Sequence, residues 1–256
     1  MKVWTVVVAA GRGERFGGAK QYEVVAGQRV LDWALGAART VSEGVVVVVD
    51  PAGTGAPEPG ADVVVAGGAT RSASVRAGLA AVPADAEVVV VHDAARPCAS
   101  PALFAATVAA VAGGADGAVP GLAVADTVKQ LGDGGVVAAT VDRTRLVRVQ
   151  TPQAFAAEAL RAAHAGGGQA TDDAALVEAA GGRVVVVAGE EANTKLTSRH
   201  DLVAAGELGV GLLPRHHDHP AAGGLDQGGV VGGLPSTGVG GPQRLGGEGL
   251  GGLDAH

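Results

Sequence analysis

The chain has 256 residues, with 26 Asp or Glu against 19 Lys or Arg, for a formal net charge of −7, a balance that argues against non-specific nucleic-acid binding. Hydrophobic residues make up 47% but aromatic residues only 2%, so a core has to be assembled from Val, Ala and Leu. The one cysteine, Cys98, excludes a disulfide within the chain and any multi-cysteine metal site; with no signal-peptide pattern and no apolar run near the ~18 residues of a membrane span, the expectation is a soluble, cytoplasmic protein.

Residues 3–10 form a short apolar run that reads as a buried strand, and it stops at a glycine-rich turn carrying Arg12, Arg15 and Lys20. Glycines let a backbone approach a phosphate chain, so that N–H groups can point at its oxygens. Arg15 and Lys20 add full positive charges beside those dipoles, which suits a triphosphate. Two familiar phosphate motifs fail here. The P-loop pattern needs Gly-Lys followed by Ser or Thr, but Ala19 separates Gly18 from Lys20 and Gln21 follows. A dinucleotide fingerprint would begin at Gly11 and Gly13, yet Phe16 stands at its third glycine position. A βα turn with solvated charges is the plainer alternative.

Further valine runs at 45–50, 61–65, 87–92 and 183–188 alternate with Ala- and Leu-rich segments at 30–40, 72–81, 101–112, 155–165 and 172–180. Continuous β-branched runs suit central strands covered on both faces, and the intervening segments predict helices. The pattern predicts an α/β fold with a Rossmann-like, doubly wound, mostly parallel sheet, whose ligands gather beyond the carboxyl ends of the strands.

The polar residues that follow the strands are therefore the candidates. The turn GGATRSASV at 67–75 leads into a helix and offers Arg71 and Ser74 to a ligand. After the 87–92 run comes HDAARP, in which Asp93 either holds a hard divalent cation or caps the next helix. Cys98 and His92 supply no convincing nucleophilic pair. Residues 118–130, a Gly-Asp-Gly turn and residues 136–149 read as a β-hairpin or projecting arm, either a dimer contact or an ordinary surface hairpin. Thr151, Asp172, Asp173 and Lys195 lie in short polar segments that, singly, read as turns, caps or solvated faces. From about residue 211 glycine dominates without periodicity, and this segment, which contains His216, His217, Asp218 and His219, is expected to be a disordered tail or a frame-shift product.

Taken in series, AAGRGERF…AKQY, GGATRSASV, HDAARP, DTVK, DR…TPQAF, TDDA and NTKLT closely resemble the 2-C-methyl-D-erythritol 4-phosphate cytidylyltransferase family over roughly residues 1–208. The resemblance implies a domain at 1–210 of the nucleotide-diphospho-sugar transferase type, with an arm at about 118–149, and leaves 211–256 outside. It implies a Mg²⁺-dependent enzyme that takes CTP and methylerythritol phosphate, binds neither nucleic acid nor membrane, and pairs as a homodimer through the arm. By resemblance, Ala9, Ala10, Gly11 and Gly13 bind the nucleotide through the loop backbone. Gly67, Gly68, Ser74 and Ala94 contact cytosine and ribose. Arg15, Lys20 and Lys195 surround the reacting phosphates, and Asp93 holds the metal. Arg96, Thr127, Arg143 and Thr151 hold the acceptor, with Thr127 and Arg143 reaching into the partner's site. Two departures stand out: Ala69 and Ala192 occupy positions where an acidic or polar residue is common. The resemblance leaves ribitol 5-phosphate as an alternative acceptor, and a non-catalytic nucleotide-binding protein as the rival of another class.

Overall fold

A computed structural model describes residues 1–14, 16–54 and 56–208. Arg15 and the tail expected from residue 211 lie outside the described residues. The chain runs through β1 (Val3–Val8), β2 (Val24–Val25), β3 (Gln28–Arg29), α1 (Val30–Arg39), β4 (Gly44–Val49), β5 (Val63–Ala66), α2 (Arg71–Ala81) and β6 (Val88–Asp93). It continues with α3 (Pro101–Ala112), β7 (Gly117–Ala123), β8 (Val128–Leu131), β9 (Val137–Val141), β10 (Val147–Val149), β11 (Gln153–Ala156), α4 (Ala157–Ala165), α5 (Asp173–Ala179), β12 (Val184–Ala188) and α6 (Arg199–Leu208).

The main sheet follows the order β12, β7, β11, β6, β1, β4, β5, with β10 joining β7 beyond the end of β11. β1 pairs in parallel with both β4 and β6, β5 extends the sheet beyond β4, and β11 runs antiparallel between β6 and β7. This is the expected doubly wound, mostly parallel α/β sheet, with β1 at the point where strand order reverses.

The valine runs explain why both faces are covered. Along β4, Val45, Val47 and Val49 pack with Leu31 and Leu35 of α1 and Phe104 of α3. Val46 and Val48 face the other way, onto Val75 and Leu79 of α2 and, with β6, onto Leu160 of α4 and Val177 of α5. Successive strand side chains point to opposite faces, so an uninterrupted apolar run feeds two cores at once. Each fully buried valine is worth about 1.5–3 kcal/mol, which explains how so few aromatics suffice. Helix starts follow capping chemistry. Thr70 Oγ1 accepts from the Ala73 amide at 3.1 Å, and Ser100 caps α3 ahead of Pro101.

Two expectations change, and two features are new. Phe155 does not begin a helix; it lies in β11, fully buried and paired with Val89 and Gly117, so α4 starts at Ala157. The arm is shorter than 118–149, because β7 and β10 are stitched into the main sheet; the two-stranded β8–β9 ribbon is a separate sheet. The hairpin β2–β3 and helix α6 have no counterpart in the sequence pattern. Together with Trp33, Cys98 and Leu196 they form a third apolar cluster, centred on Val25, Val30 and Ala205, beside the glycine loop.

Candidate active site

A cavity of about 950 Å³ opens beyond the carboxyl ends of β1, β4 and β6, a size in the range of small-molecule sites. Its walls are the glycine loop after β1, the turn after β5, the end of β6 and the segment around Lys195.

The first loop is curled on itself. Gly13, at φ +64°, accepts from the amides of Phe16, Gly17 and Gly18 at 2.8, 2.9 and 3.3 Å. A Cβ at Gly13 would lie 1.9 Å from the Gly18 carbonyl oxygen, so no larger residue fits this curl. Phe16, the residue that breaks the dinucleotide pattern, is buried and anchors the loop, with the Arg199 guanidinium 5.4 Å from its ring centre. The Ala9 amide donates to Val48 at 2.7 Å, and Gln21 Nε2 donates to the Ala9 carbonyl at 2.9 Å. Lys20 Nζ donates to the Leu196 carbonyl at 2.6 Å, tying this loop to the far wall.

The second turn packs against the first. A Cβ at Gly67 would sit 2.4 Å from the Ala10 Cβ. Ser74 lines the cavity, but its hydroxyl accepts from the Gly68 amide at 3.1 Å and donates to the Thr70 carbonyl at 3.0 Å, which orders the turn.

Asp93 forms the floor. Its Oδ2 accepts from Lys195 Nζ at 2.6 Å, and its Oδ1 lies 3.3 Å from Arg71 Nε. Burial alone would raise this carboxyl, but the adjacent Arg71 and Lys195 charges outweigh it and hold Asp93 well below the usual carboxylate range. The Asp93 amide donates to Thr151 Oγ1 at 3.1 Å. His92 Nε2 is 3.2 Å from the Arg96 carbonyl, which can only accept, so Nε2 carries the proton and Nδ1 accepts from the Thr151 hydroxyl at 3.2 Å. Burial lowers the His92 pKa from 6.5 to about 4, in keeping with this neutral tautomer. Thr151 thus braces the end of β6 from behind. Burial pushes the Cys98 thiol up to about 11, which leaves it a packing residue.

Lys195 owes its position in part to Gln150 and Asn193, which sequence reasoning did not single out. Gln150 Nε2 donates to the carbonyls of Glu190 and Asn193, and Asn193 Nδ2 donates to the Thr151 carbonyl at 2.9 Å. Arg96 Nη1 donates to the Asn193 carbonyl at 2.7 Å, and the Leu196 amide donates to Ala95 at 2.8 Å. Leu196 itself is fully buried.

The cavity therefore brings together Ala9, Ala10, Gly11, Gly13, Lys20, Gly67, Gly68, Ser74, Asp93, Ala94 and Lys195. Arg96 and Thr151 stand behind its wall. Thr127 and Arg143 are exposed on the arm and do not line it, and Arg143 Nη1 donates to the Val124 carbonyl at 3.1 Å. Arg71 lines the cavity as well, although its motif alone assigns it no firm role; two adjacent acids in TDDA are the available signal. Asp172 caps α5, accepting from the Ala175 amide at 3.0 Å, which leaves Asp173 for Arg71 at 2.8 Å.

Such a site offers anchored cations and backbone amides around an anionic floor, a set suited to a polyphosphate. Comparison with known proteins agrees. Residues 3–208 match the family model described as "IspD: 2-C-methyl-D-erythritol 4-phosphate cytidylyltransferase". The chain is 45% identical over 228 residues to a "Bifunctional enzyme IspD/IspF" of Nitratidesulfovibrio vulgaris, covering 79% of this chain and 57% of that relative. It is 44% identical over 219 residues to a "2-C-methyl-D-erythritol 4-phosphate cytidylyltransferase" of Saccharopolyspora erythraea, covering 80% of this chain and 98% of that one. The crystal structure of the Thermus thermophilus cytidylyltransferase superposes with a TM-score of 0.69 at 40% identity, over 81% of this chain and 98% of the other. The chain spans a little over half the length of the bifunctional relatives it matches.

Proposed function

From the 2-C-methyl-D-erythritol 4-phosphate cytidylyltransferase family, to which this chain belongs, we propose that it transfers CMP from CTP to 2-C-methyl-D-erythritol 4-phosphate. A phosphate oxygen of the acceptor attacks the α-phosphorus of CTP. The new P–O–P bond forms as the bond to the β-phosphate oxygen breaks, giving 4-diphosphocytidyl-2-C-methyl-D-erythritol and pyrophosphate. Two anions must meet, so the barrier is chiefly electrostatic and needs no covalent nucleophile.

The observation that carries this reading is the joining of the two lysines. Lys20 is bonded to the Leu196 carbonyl, one residue from Lys195, whose ammonium rests on Asp93. Both charges are thereby fixed on one wall, beside the curled amides of the glycine loop, before any phosphate arrives. The glycine turn at Gly67–Gly68 lines the same cavity, and Val49 and Ser74 keep that turn in shape by accepting from its two amides.

The donor set fits Mg²⁺. Among the described residues no three His, Cys, Asp or Glu cluster as a protein cage, and Mg²⁺ in nucleotide sites keeps waters and takes one or two carboxylates plus phosphate oxygens. Asp93 would be that carboxylate, and the ion would neutralise phosphate charge during transfer.

The same reading makes the arm a dimer contact. Leu131, Val136 and Val137 are exposed on or beside the β8–β9 ribbon, and Thr127 and Arg143 sit there away from their own cavity, which supports their use in a neighbouring site. No helix among the described residues is long and apolar enough to cross a membrane. That, with one buried unpaired cysteine, supports a cytoplasmic enzyme.

Pyrophosphate release from CTP and Mg²⁺ is the test, with methylerythritol phosphate in one arm and ribitol 5-phosphate in the other. Release with the first acceptor is expected. Preference for ribitol 5-phosphate would reassign the acceptor, and no release with either would leave a nucleotide-binding protein.

A further inference from the structure

Behind the cavity floor a chain of side-chain contacts runs from Asp93 through Arg71 to Asp173 and His164. Arg71 Nη1 donates to Asp173 Oδ2 at 2.8 Å, whereas its Nε is 3.3 Å from Asp93 Oδ1. Asp173 is fully buried, and its Oδ1 accepts from His164 Nε2 at 3.0 Å. Arg71 Nη2, which shares the side edge of the guanidinium with Nε, is buried with no hydrogen-bond partner. The fork is thus pulled towards Asp173 and makes one long contact with Asp93 in place of the two short ones of which that edge is capable.

We propose that Asp173, steadied by His164, is a positioning residue that keeps Arg71 from closing bidentately on Asp93 and so leaves Asp93 Oδ1, the oxygen not held by Lys195, available to a divalent cation. The two carboxylates compete for one guanidinium. With Asp173 present, Arg71 lies close enough to Asp93 to orient it, yet Nη2 stays off its oxygens. Without the Asp173 charge, Nε and Nη2 turn together onto Asp93, and an incoming cation has to displace a strong ion pair. Four separate elements take part: Asp93 ends β6, Arg71 opens α2, and Asp173 opens α5 with His164 from α4 behind it. None of the contacts to Arg71 is local in sequence, since Arg71 and Asp173 are 102 residues apart.

The inference rests on the proposed reaction only in expecting a divalent cation at Asp93, so its test reads the cation directly. Mn²⁺ is titrated into the full chain, with CTP and without acceptor, and bound ion is followed by electron spin resonance. Asp173→Asn keeps the side-chain volume and should weaken Mn²⁺ binding by about 10-fold or more, the usual loss when an outer partner of a metal ligand is removed. Adding Arg71→Gln to that variant should restore affinity to near wild type, because the competing fork is gone. A merely structural role predicts the opposite, with the double variant no better than the single one. His164→Leu, which leaves both carboxylates in place, should give a smaller shift in the same direction and serves if Asp173→Asn does not fold. Affinity within two-fold of wild type in the folded single variants, no recovery in the double variant, or a wild-type protein that takes up no Mn²⁺ would overturn the proposal. A chain that binds Mn²⁺ in the expected order but releases no pyrophosphate would instead count against the reaction alone.

Discussion

The cavity floor and the β8–β9 arm carry similar polar residues under opposite physical conditions. At the floor, buried Asp93 takes Lys195 at 2.6 Å and lies 3.3 Å from Arg71, so that two cations from distant parts of the chain are held on one carboxylate at the edge of the open cavity. On the arm, Lys129 reaches Thr140 on the neighbouring strand at 2.6 Å and Arg143 reaches the backbone of Val124, all of them exposed. Charges already held in contact around a buried carboxylate need little reorganisation when a substrate's charge develops, and that is the arrangement from which electrostatic catalysis draws its size. Exposed pairs are screened and individually weak, so the arm gains leverage only when something covers it. The floor is assembled within one chain, whereas the arm becomes part of a site only in the dimer proposed above.

The sharpest way to break this contrast is to remove a charge at the floor. Lys20→Ala should lower kcat by about 10²–10³, the scale of losing one preorganised electrostatic group, with little change in melting temperature. Its Nζ bonds a backbone carbonyl, so the loss of order should be confined to the loop and the Leu196 segment. Steady-state pyrophosphate release gives the number. Turnover within about three-fold of wild type would mean that the fixed lysines are structural fasteners and that the floor is no more catalytic than the arm.

The next test concerns protons. His92 is fully buried beneath the floor and titrates at about 4 rather than 6.5, chiefly because burial disfavours its charged form. Between those values the unfolded chain binds a proton that the folded chain refuses. Stability therefore rises with pH across this window: it is complete above about 6.5 and lost as pH falls through about 4, a span of about 3 kcal/mol from this one residue. Asp93 is depressed instead, so its contribution is lost at lower pH and does not overlap. Urea midpoints at pH 7, 5.5 and 4 measure the slope, and His92→Gln should flatten it. An unchanged slope would place the proton uptake elsewhere.

What can be read in advance follows the same division. The valine runs announce both faces of the sheet, because a strand covered twice must be apolar at every position. The glycine loop, Asp93 and Lys195 are visible because each sits directly after a strand or in a compact motif. The roles of Asp173, Gln150 and Asn193 are not, since each acts through a contact 40 or more residues away. Strand β11 is hidden because Gln153 opens it and Phe155 suits a helix equally well. The arm's limits are hidden because alternation marks a strand without saying which sheet receives it. Hence the pattern puts β7 and β10 in the projection although they pair within the main sheet.

The arm itself supplies the last and smallest test, which also decides whether it contributes to a site in the proposed dimer. Arg143 is exposed at the base of the ribbon and bonded to Val124 of its own arm. A guanidinium free to turn can grip two oxygens of an acceptor's phosphate, and in a two-fold pair the acceptor would belong to the neighbour. Arg143→Ala should raise KM for the acceptor by about 10-fold, the lower end for one charge-assisted contact, while KM for CTP stays within two-fold. Mixing that subunit with Lys20→Ala at low acceptor concentration makes the geometry explicit. In a heterodimer one site receives both damaged parts and the other receives neither. Random mixing gives half heterodimers with one intact site of two, so the mixture should recover about a quarter of wild-type activity where either variant alone shows little. If subunit exchange is confirmed by native mass measurement and activity does not rise, Arg143 serves its own chain's site, and the arm is finished within one chain as the floor is.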